Sequence, residues 1–383
     1  MWKHFAANAL TLLIVGLVVL AGMVAMAQRS FVAPGPLAEA ICLRVDQGAT
    51  LRGVTRSLEE QGAISSGMLF RVGAQYDGRD SQLRFGSYLV PAGASMTEIL
   101  DIVTRGGAST CGTEVVLRVG VTRSEYLVRE LNPATNRFDE VLELPLETVD
   151  FPDAYQAFAA LPDTRYRIAI AEGATSWQVW NALGAAEFLS GSVAEIPAEG
   201  TLAPESYEVR RGADRAELIG EMQARQVVAL TSAWETRVDG LPFETPQEAL
   251  ILASIVEKET GVADERRVVA SVFINRLRAP MRLQTDPTVI YGITLGQRIL
   301  GRGLRRSELN AETPYNTYRI DGLPPTPIAN PGRASIEAVL NPEETDYLFF
   351  VADGTGGHVF ATTLAEHNRN VAQWRQIEAD RNQ

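Results

Sequence analysis

The sequence predicts an α+β protein that begins with a transmembrane helix. Three observations carry this. The chain opens on an apolar run. Short alternating segments then recur, each followed by a turn and an amphipathic helix. The C-terminal half carries helical periods and a Gly-rich hairpin signal. A chain of 383 residues has room for two or three domains with sizeable cores.

At the N-terminus, Lys3 and His4 precede the apolar run 5–27, "FAANALTLLIVGLVVLAGMVAMA". About 20 apolar residues suffice to cross a bilayer as a helix. The short positive leader favours a cytoplasmic N-terminus. Ala25-Met26-Ala27 before Gln28 has the form of a signal-peptidase site, but the run is long for a signal core, which favours an uncleaved anchor. On either reading the rest of the chain is exported. Residues 1–28 are read as cytoplasmic tip and anchor. Residues 29–39 are read as a tether, which takes in most of the Pro/Gly-containing stretch "FVAPGPLAEA" at 31–40.

Net charge is −12 and the pI about 5.0, so the chain repels phosphate backbones and nucleic acid is not an expected partner. Two cysteines and three histidines, none at zinc-like spacing, leave no metal or cofactor expected. In an oxidising compartment Cys42 and Cys111 form either a disulfide or two buried free thiols; spacing leaves both open.

A short unit begins at Leu43, Tyr88 and Arg167: an alternating strand, a Gly-Ala turn, then an amphipathic helix. Thr50, Ser95 and Thr175 are the expected N-caps. Residues 116–132, "VVLRVGVTRSEYLVREL", read as a degenerate fourth copy. Residues 133–165, with four prolines, read as an insertion or linker. Helical periods cover 214–236 and 246–278, a hairpin 347–363, and an amphipathic helix the C-terminus.

The apolar run 249–256 leads into Glu257, Lys258 and Glu259. On a helical wheel Leu252, Ile255, Val256 and Glu259 share one stripe, while Glu257 and Lys258 leave it. A carboxylate on an apolar face is desolvated, which raises its pKa and suits a general acid. The wheel leaves open an ion pair with Arg266 or Arg276, or an exposed position at a frayed helix end. A second helix, 263–278, carries Asn275 and Arg276 toward a loop with Gln284, Thr285 and Asp286, where Asp286-Pro287 reads as N-cap plus N1. The stretch 312–332, "ETPYNTYRIDGLPPTPIANPG", groups Tyr315, Asn316 and Tyr318: partners for sugar, or a Pro-stiffened loop.

Taken in order, "LASIVEKETG", "VASVFINRLR", "MRLQTDPTVIYG", "YNTYRIDGLPPTPIANPG", "FFVADGTGGHVF" and the pair His367-Asn368 resemble the membrane-bound endolytic transglycosylase family, MltG/YceG-like. "EGTLAPESYEV" at 199–209 resembles the family's segment ahead of the catalytic helix. The resemblance covers about 167 to the end closely and 40–108 more loosely. It leaves 112–165 unmatched.

The resemblance implies a domain plan. A LysM-like β-α module spans 40–110, an insertion or linker 111–165, and a YceG-like α+β catalytic domain 166–383. It also implies cleavage of the MurNAc–GlcNAc bond within nascent peptidoglycan strands, leaving 1,6-anhydroMurNAc ends. Glycan chain termination and cell wall organisation follow from that activity. Glu259, the second Glu of E-K-E-T, would be the general acid and then the base. Glu257, Asn275, Arg276, Gln284, Thr285, Asp286, Tyr315 and Asn316 are the expected groove or supporting residues. Expected partners are glycan strands, peptidoglycan synthases and division or elongation proteins. The expected place is the inner membrane, single-pass, with the bulk of the chain periplasmic. The rivals are a non-catalytic peptidoglycan-binding scaffold, a hydrolytic muramidase using Asp286 as second carboxylate, and an envelope protein without glycan contact.

Overall fold

The computed structural model describes residues 2–105, 110–161 and 163–381, with the side chains of 2–7, 9 and 381 left aside. The leader residues Lys3 and His4 therefore lie outside the described side chains, and the end of the second repeat, 106–107, outside the described residues. The chain divides into two compact units. One gathers the residues up to Val115 with Leu127–Glu143 and Val149–Arg165. The other gathers Val116–Tyr126, Leu144–Thr148 and the chain from Tyr166 on.

In the first unit α1 (Trp2–Val32) contains one stretch, Leu10–Val32, long and apolar enough to cross a membrane. Then come β1 (Ile41–Val45), α2 (Leu51–Glu60), α3 (Gly67–Tyr76), β2 (Gly86–Val90) and α4 (Met96–Arg105). β1 and β2 pair antiparallel, with Leu43 opposite Tyr88. Their inward residues join Leu58, Phe70, Ile99 and Leu100 in one core. Both helix starts are capped as expected: Thr50 accepts from Gly53 N, and Ser95 and Glu98 cap each other's backbone N–H.

Cys42 and Cys111 form a disulfide, which closes the alternative the spacing left open. The tether reading is corrected in part. Residues 29–32 continue the helix, Leu37 is buried, and Gly35 N and Gly93 N donate to Gly93 O and Leu37 O at 3.0 and 2.8 Å. The segment is stitched to the module rather than free.

The stretch 113–161 also differs from expectation. β3 (Thr113–Val119) and β4 (Ser124–Asn132) are two strands joined by a tight turn in which Gly120 N donates to Arg123 O. The degenerate fourth copy is thus a hairpin. β-branched and aromatic residues at alternate positions hold the second half extended, and no N-cap starts a helix there. The stretch read as an insertion or linker is structured, as β5 (Arg137–Pro145) and α5 (Asp153–Ala159), which sets aside the linker alternative. β3, β4 and β5 each contribute residues to both units.

In the second unit β6 (Arg165–Ile170) leads to α6 (Ser176–Ala185), which Thr175 starts with a capping box. β7 (Leu189–Ser190), β8 (Ser206–Val209) and β9 (Ala213–Asp214) follow. β8 pairs antiparallel with β6 in a sheet of order β5-β4-β3-β6-β8, and β7 pairs with β9. The helical part comprises α7 (Arg215–Glu235), α8 (Pro246–Glu259), a 3-10 turn (Ala263–Glu265), α9 (Arg266–Arg278), α10 (Asp286–Thr294), α11 (Arg306–Asn310) and α12 (Arg333–Leu340). β10 (Phe349–Ala352), β11 (His358–Ala361) and α13 (Leu364–Arg381) complete the chain.

α8 lies at the centre of the core of this unit. Leu252, Ile255 and Val256 pack with Phe273 and Ile274 of α9 and Ile336, Val339 and Leu340 of α12. Every residue from Ala249 to Val256 is buried, so α8 has no solvent face over two turns. Its one polar core residue, Ser254, is satisfied: it donates to Ile251 O and accepts from Ile328 N.

Candidate functional site

α8 is bounded at both ends. Thr245 and Glu248 form a capping box with Pro246 at N1, and Thr260 ends the helix with extended backbone. Glu259 is therefore the last helical residue. Its carboxyl emerges where the buried rod stops, into a cavity of about 360 Å3. That volume is within the range of small-ligand sites. The cavity is lined by Phe273 and Arg276 of α9, Gln284 and Thr285 of the following loop, Asp286 of α10, Tyr318, Phe349 and Phe350 of β10, and Leu364 and His367 of α13.

The electrostatics at Glu259 favour its neutral form. Burial is the main cause and raises its pKa, and the nearby charge of Asp286 raises it further. The Thr285 hydroxyl, which donates to Oε1, opposes this, as do His358 and Arg276 more weakly. The C-terminal end of the α8 dipole acts in the same direction as burial. No Arg or Lys nitrogen of the described residues lies within salt-bridge distance of Glu259, so the ion pair with Arg266 or Arg276 is not formed.

Arg276 is instead spent on backbone. Its Nε donates to Leu348 O at 2.7 Å and its Nη1 to Leu283 O, and its guanidinium lies 5.5 Å from the centre of the Phe349 ring. Burial lowers its pKa from the ordinary arginine value. It ties α9 to the hairpin and to the loop, and so holds two walls of the cavity.

The loop is held from below by threonines. Thr285 N donates to Thr317 Oγ1 at 3.0 Å, Gln284 N to Thr317 O at 3.2 Å, and the Thr288 hydroxyl to Thr285 O at 2.8 Å. Gln284 sits at φ +49°, in the left-handed region that costs a non-glycine residue, and its side chain lines the cavity. Asp286 is the first residue of α10, not its cap; Thr285 holds the cap position, and its hydroxyl goes to Glu259 instead. The Asp286 carboxylate accepts from Tyr318 OH at 2.7 Å.

Five of the expected residues thus meet in one cavity: Glu259, Arg276, Gln284, Thr285 and Asp286. The other four do not line it. Glu257 points to another side of α8 and accepts from Gly332 N at 2.9 Å. Asn275 donates to Thr345 O and Tyr347 O, fixing the strand that leads into β10. Tyr315 bonds Thr326 and packs edge-on against Tyr291. Asn316 is 0% exposed, and its amide donates to Glu308 O, Leu309 O and Ala311 O. None of these four lines the cavity, and each has at least one polar atom bonded to backbone or to a neighbouring side chain.

Tyr318, Phe349, Phe350 and His367 line the cavity without having been assigned to it from sequence. Tyr318 shares the aromatic loop with Tyr315, and one ring looks like another in a linear pattern. His367 is one of three histidines. Its ring stacks on Phe349 with centroids 5.2 Å apart, and burial, with Arg276, lowers its pKa.

The model of the YceG-like family matches residues 43–162 and 152–373, and the first match runs through the segment that the motifs leave unmatched. A Streptococcus pneumoniae protein named endolytic murein transglycosylase is 28% identical over 336 residues, 87% of this chain and 58% of its own length. A Bacillus subtilis protein of the same name is 38% identical over 174 residues, 45% of this chain and 47% of its own length. The chain thus spans about half the length of these relatives. A solved YceG-like protein of Listeria monocytogenes aligns over 86% of this chain and 98% of its own at 24% identity, with a TM-score of 0.46.

Proposed function

The chain belongs to the YceG-like family, and from that premise we propose that it is an endolytic peptidoglycan lytic transglycosylase with Glu259 as its acid and base. The observation that carries the reading is Glu259 itself. It is a desolvated carboxyl whose side-chain partner is a threonine hydroxyl, and it opens into a cavity of sugar-binding residue types. The names of the two relatives support the substrate and reaction class.

In this mechanism neutral Glu259 protonates the glycosidic oxygen between MurNAc and GlcNAc, and the C1–O bond breaks. The carboxylate left behind takes the proton of the MurNAc C6 hydroxyl as that oxygen bonds to C1. The product is a 1,6-anhydroMurNAc end, and Glu259 is neutral again. The nucleophile belongs to the substrate, so water is not needed and the entropic cost of bringing it in is small. A raised pKa is what the first step requires. Gln284 offers hydrogen bonds to sugar hydroxyls, the Tyr318 oxygen, whose proton goes to Asp286, can accept one more, and Phe349 and Phe350 offer apolar faces. Thr285 and Arg276 position the acid and the loop.

A second reading rests on Asp286, which lines the same cavity. Hydrolytic glycosidases use two carboxylates, and Asp286 would serve as the second. Mass spectrometry of muropeptides separates the two readings. The lytic reading expects anhydro-ended products from the intact chain and none from Glu259→Gln. Products with reducing MurNAc ends would establish hydrolysis. A chain that binds sacculi and releases nothing would be a scaffold.

The rest of the assignment is proposed with it. α1 anchors the chain in the inner membrane with the bulk of the chain periplasmic. The 40–110 module is LysM-like, and 166–383 is the catalytic domain. Peptidoglycan synthases and division or elongation proteins are the partners.

A further inference from the structure

α3 carries an apolar stripe that its own unit does not cover. Gly67, Phe70 and Ala74 face the module core. Met68, Val72 and Tyr76, one turn apart on another face, are 71%, 52% and 87% exposed, and Phe85, just before β2 of the same unit, is 54% exposed. Three large apolar residues in register on one short helix form a patch that a water-facing module has no reason to keep.

The place of α3 says what covers the stripe. The Phe31 ring, in the last turn of α1, lies against Gly73, where a Cβ would overlap it. The Thr97 hydroxyl of α4 donates to Phe31 O, and Gly35 and Leu37 are bonded to Gly93. The module is thus clamped to the end of α1 without a flexible spacer.

Length then sets the depth. The apolar stretch of α1 is Leu10–Val32, 23 residues. A hydrocarbon core of about 30 Å takes about 20 residues at 1.5 Å each. Counted from Leu10, the helix leaves the hydrocarbon near Arg29; counted from Phe5, it leaves about five residues earlier. Phe31 therefore stands within about 10 Å of the hydrocarbon edge, in or just beyond the headgroup layer. Gly73 of α3, packed on Phe31, is at the same depth, and the α3 stripe starts from there. Arg29 in the last turn of α1 and Arg71 on α3 itself suit a layer of phosphates.

We infer that the Met68–Val72–Tyr76 face of α3, together with Phe85, is seated in the headgroup layer of the bilayer that α1 crosses. The inference rests on the reading of α1 as an anchor. The face acts as a second, interfacial contact and holds the first module against the membrane surface.

Site-directed spin labelling tests it. The full chain is reconstituted in vesicles of phosphatidylethanolamine and phosphatidylglycerol. Single labels are attached through Met68→Cys, Val72→Cys or Tyr76→Cys, with Val18→Cys in α1 and Glu60→Cys on α2 as references. Both native cysteines are held in the disulfide, so only the introduced thiol reacts. The inference expects the ratio of oxygen to nickel-chelate collisions at the three α3 positions to exceed that at Glu60 severalfold while staying below that at Val18. The corresponding depth lies within about 10 Å of the headgroup boundary. Water-like ratios at all three, with Val18 in hydrocarbon, overturn the inference and leave the anchor standing. A water-like ratio at Val18 overturns the anchor, and the inference with it.

Discussion

Asn316 separates a groove from a scaffold, and truncating it gives a measurable answer. Its amide donates to Glu308 O at 3.2 Å, Leu309 O at 3.1 Å and Ala311 O at 2.7 Å, and its oxygen accepts from Tyr318 N at 3.0 Å. In Asn316→Ala, Glu308 O keeps Ala311 N as a donor, and water can reach the carbonyl of exposed Ala311. Leu309 O and Tyr318 N–H lose the Asn316 side chain with no other bonded partner among the described residues, and the missing amide leaves a void. An orphaned buried polar group costs about 1–3 kcal/mol, and the void adds to that. A loss of about 2–4 kcal/mol follows, from two such groups at the low end of that range and a small void. Urea unfolding followed by tryptophan fluorescence measures it, as a lower midpoint at unchanged slope. Asn316→Asp should be worse, because a carboxylate would face three carbonyls. A midpoint unchanged within about 0.5 kcal/mol, together with a raised KM for glycan, would refute the structural role and restore the groove role.

Other outcomes follow from the same geometry. Burial and Asp286 raise the pKa of Glu259 above the ordinary carboxylate value of 4.5, and in the proposed role as acid it works only when protonated. Activity should therefore hold below the raised value and fall as pH rises through it; a plateau that extends unchanged through neutral into alkaline pH would contradict the assignment. The same sign applies to stability: the contribution of Glu259 is fully present below its unfolded pKa and is lost as pH rises through the folded one. Asp286→Asn removes the like charge, so the falling limb should move to lower pH with activity retained, whereas a hydrolytic enzyme would lose its second carboxylate and its turnover. The Cys42–Cys111 bridge spans a sequence separation of 69 residues. Loop entropy puts its contribution at about 4 kcal/mol, so Cys42→Ser with Cys111→Ser should sharply lower the thermal midpoint of the first unit.

Much of the fold was legible in one dimension. Glycine turns, Thr and Ser caps and helical periods act over a few residues, and so β1–α2, β2–α4, β6–α6, α8, α9, the β10–β11 hairpin and α13 could be read from the chain. The stretch 113–161 could not. Its residues suit either a repeat or a linker until strand pairing takes up their backbone groups, and pairing is a non-local choice. The candidate site divides in the same way.

The sequence by itself determined that α8 is an apolar rod ending in Glu259, and that the next loop carries Gln284, Thr285 and Asp286. Only the tertiary structure decided what surrounds that carboxyl. The wheel separated one stripe from the others, yet α8 is buried on every side. What distinguishes Glu259 is its place at the end of the rod, where Thr285 arrives from the loop, Asp286 from the start of α10, and Phe349 and His367 from the C-terminal elements. The three-dimensional packing likewise assigned the amides of Asn275 and Asn316 to backbone carbonyls and left Tyr318 to face the cavity. A polar side chain near a site binds substrate only if no nearer group satisfies it first, and which group is nearest is fixed by the packing of distant segments.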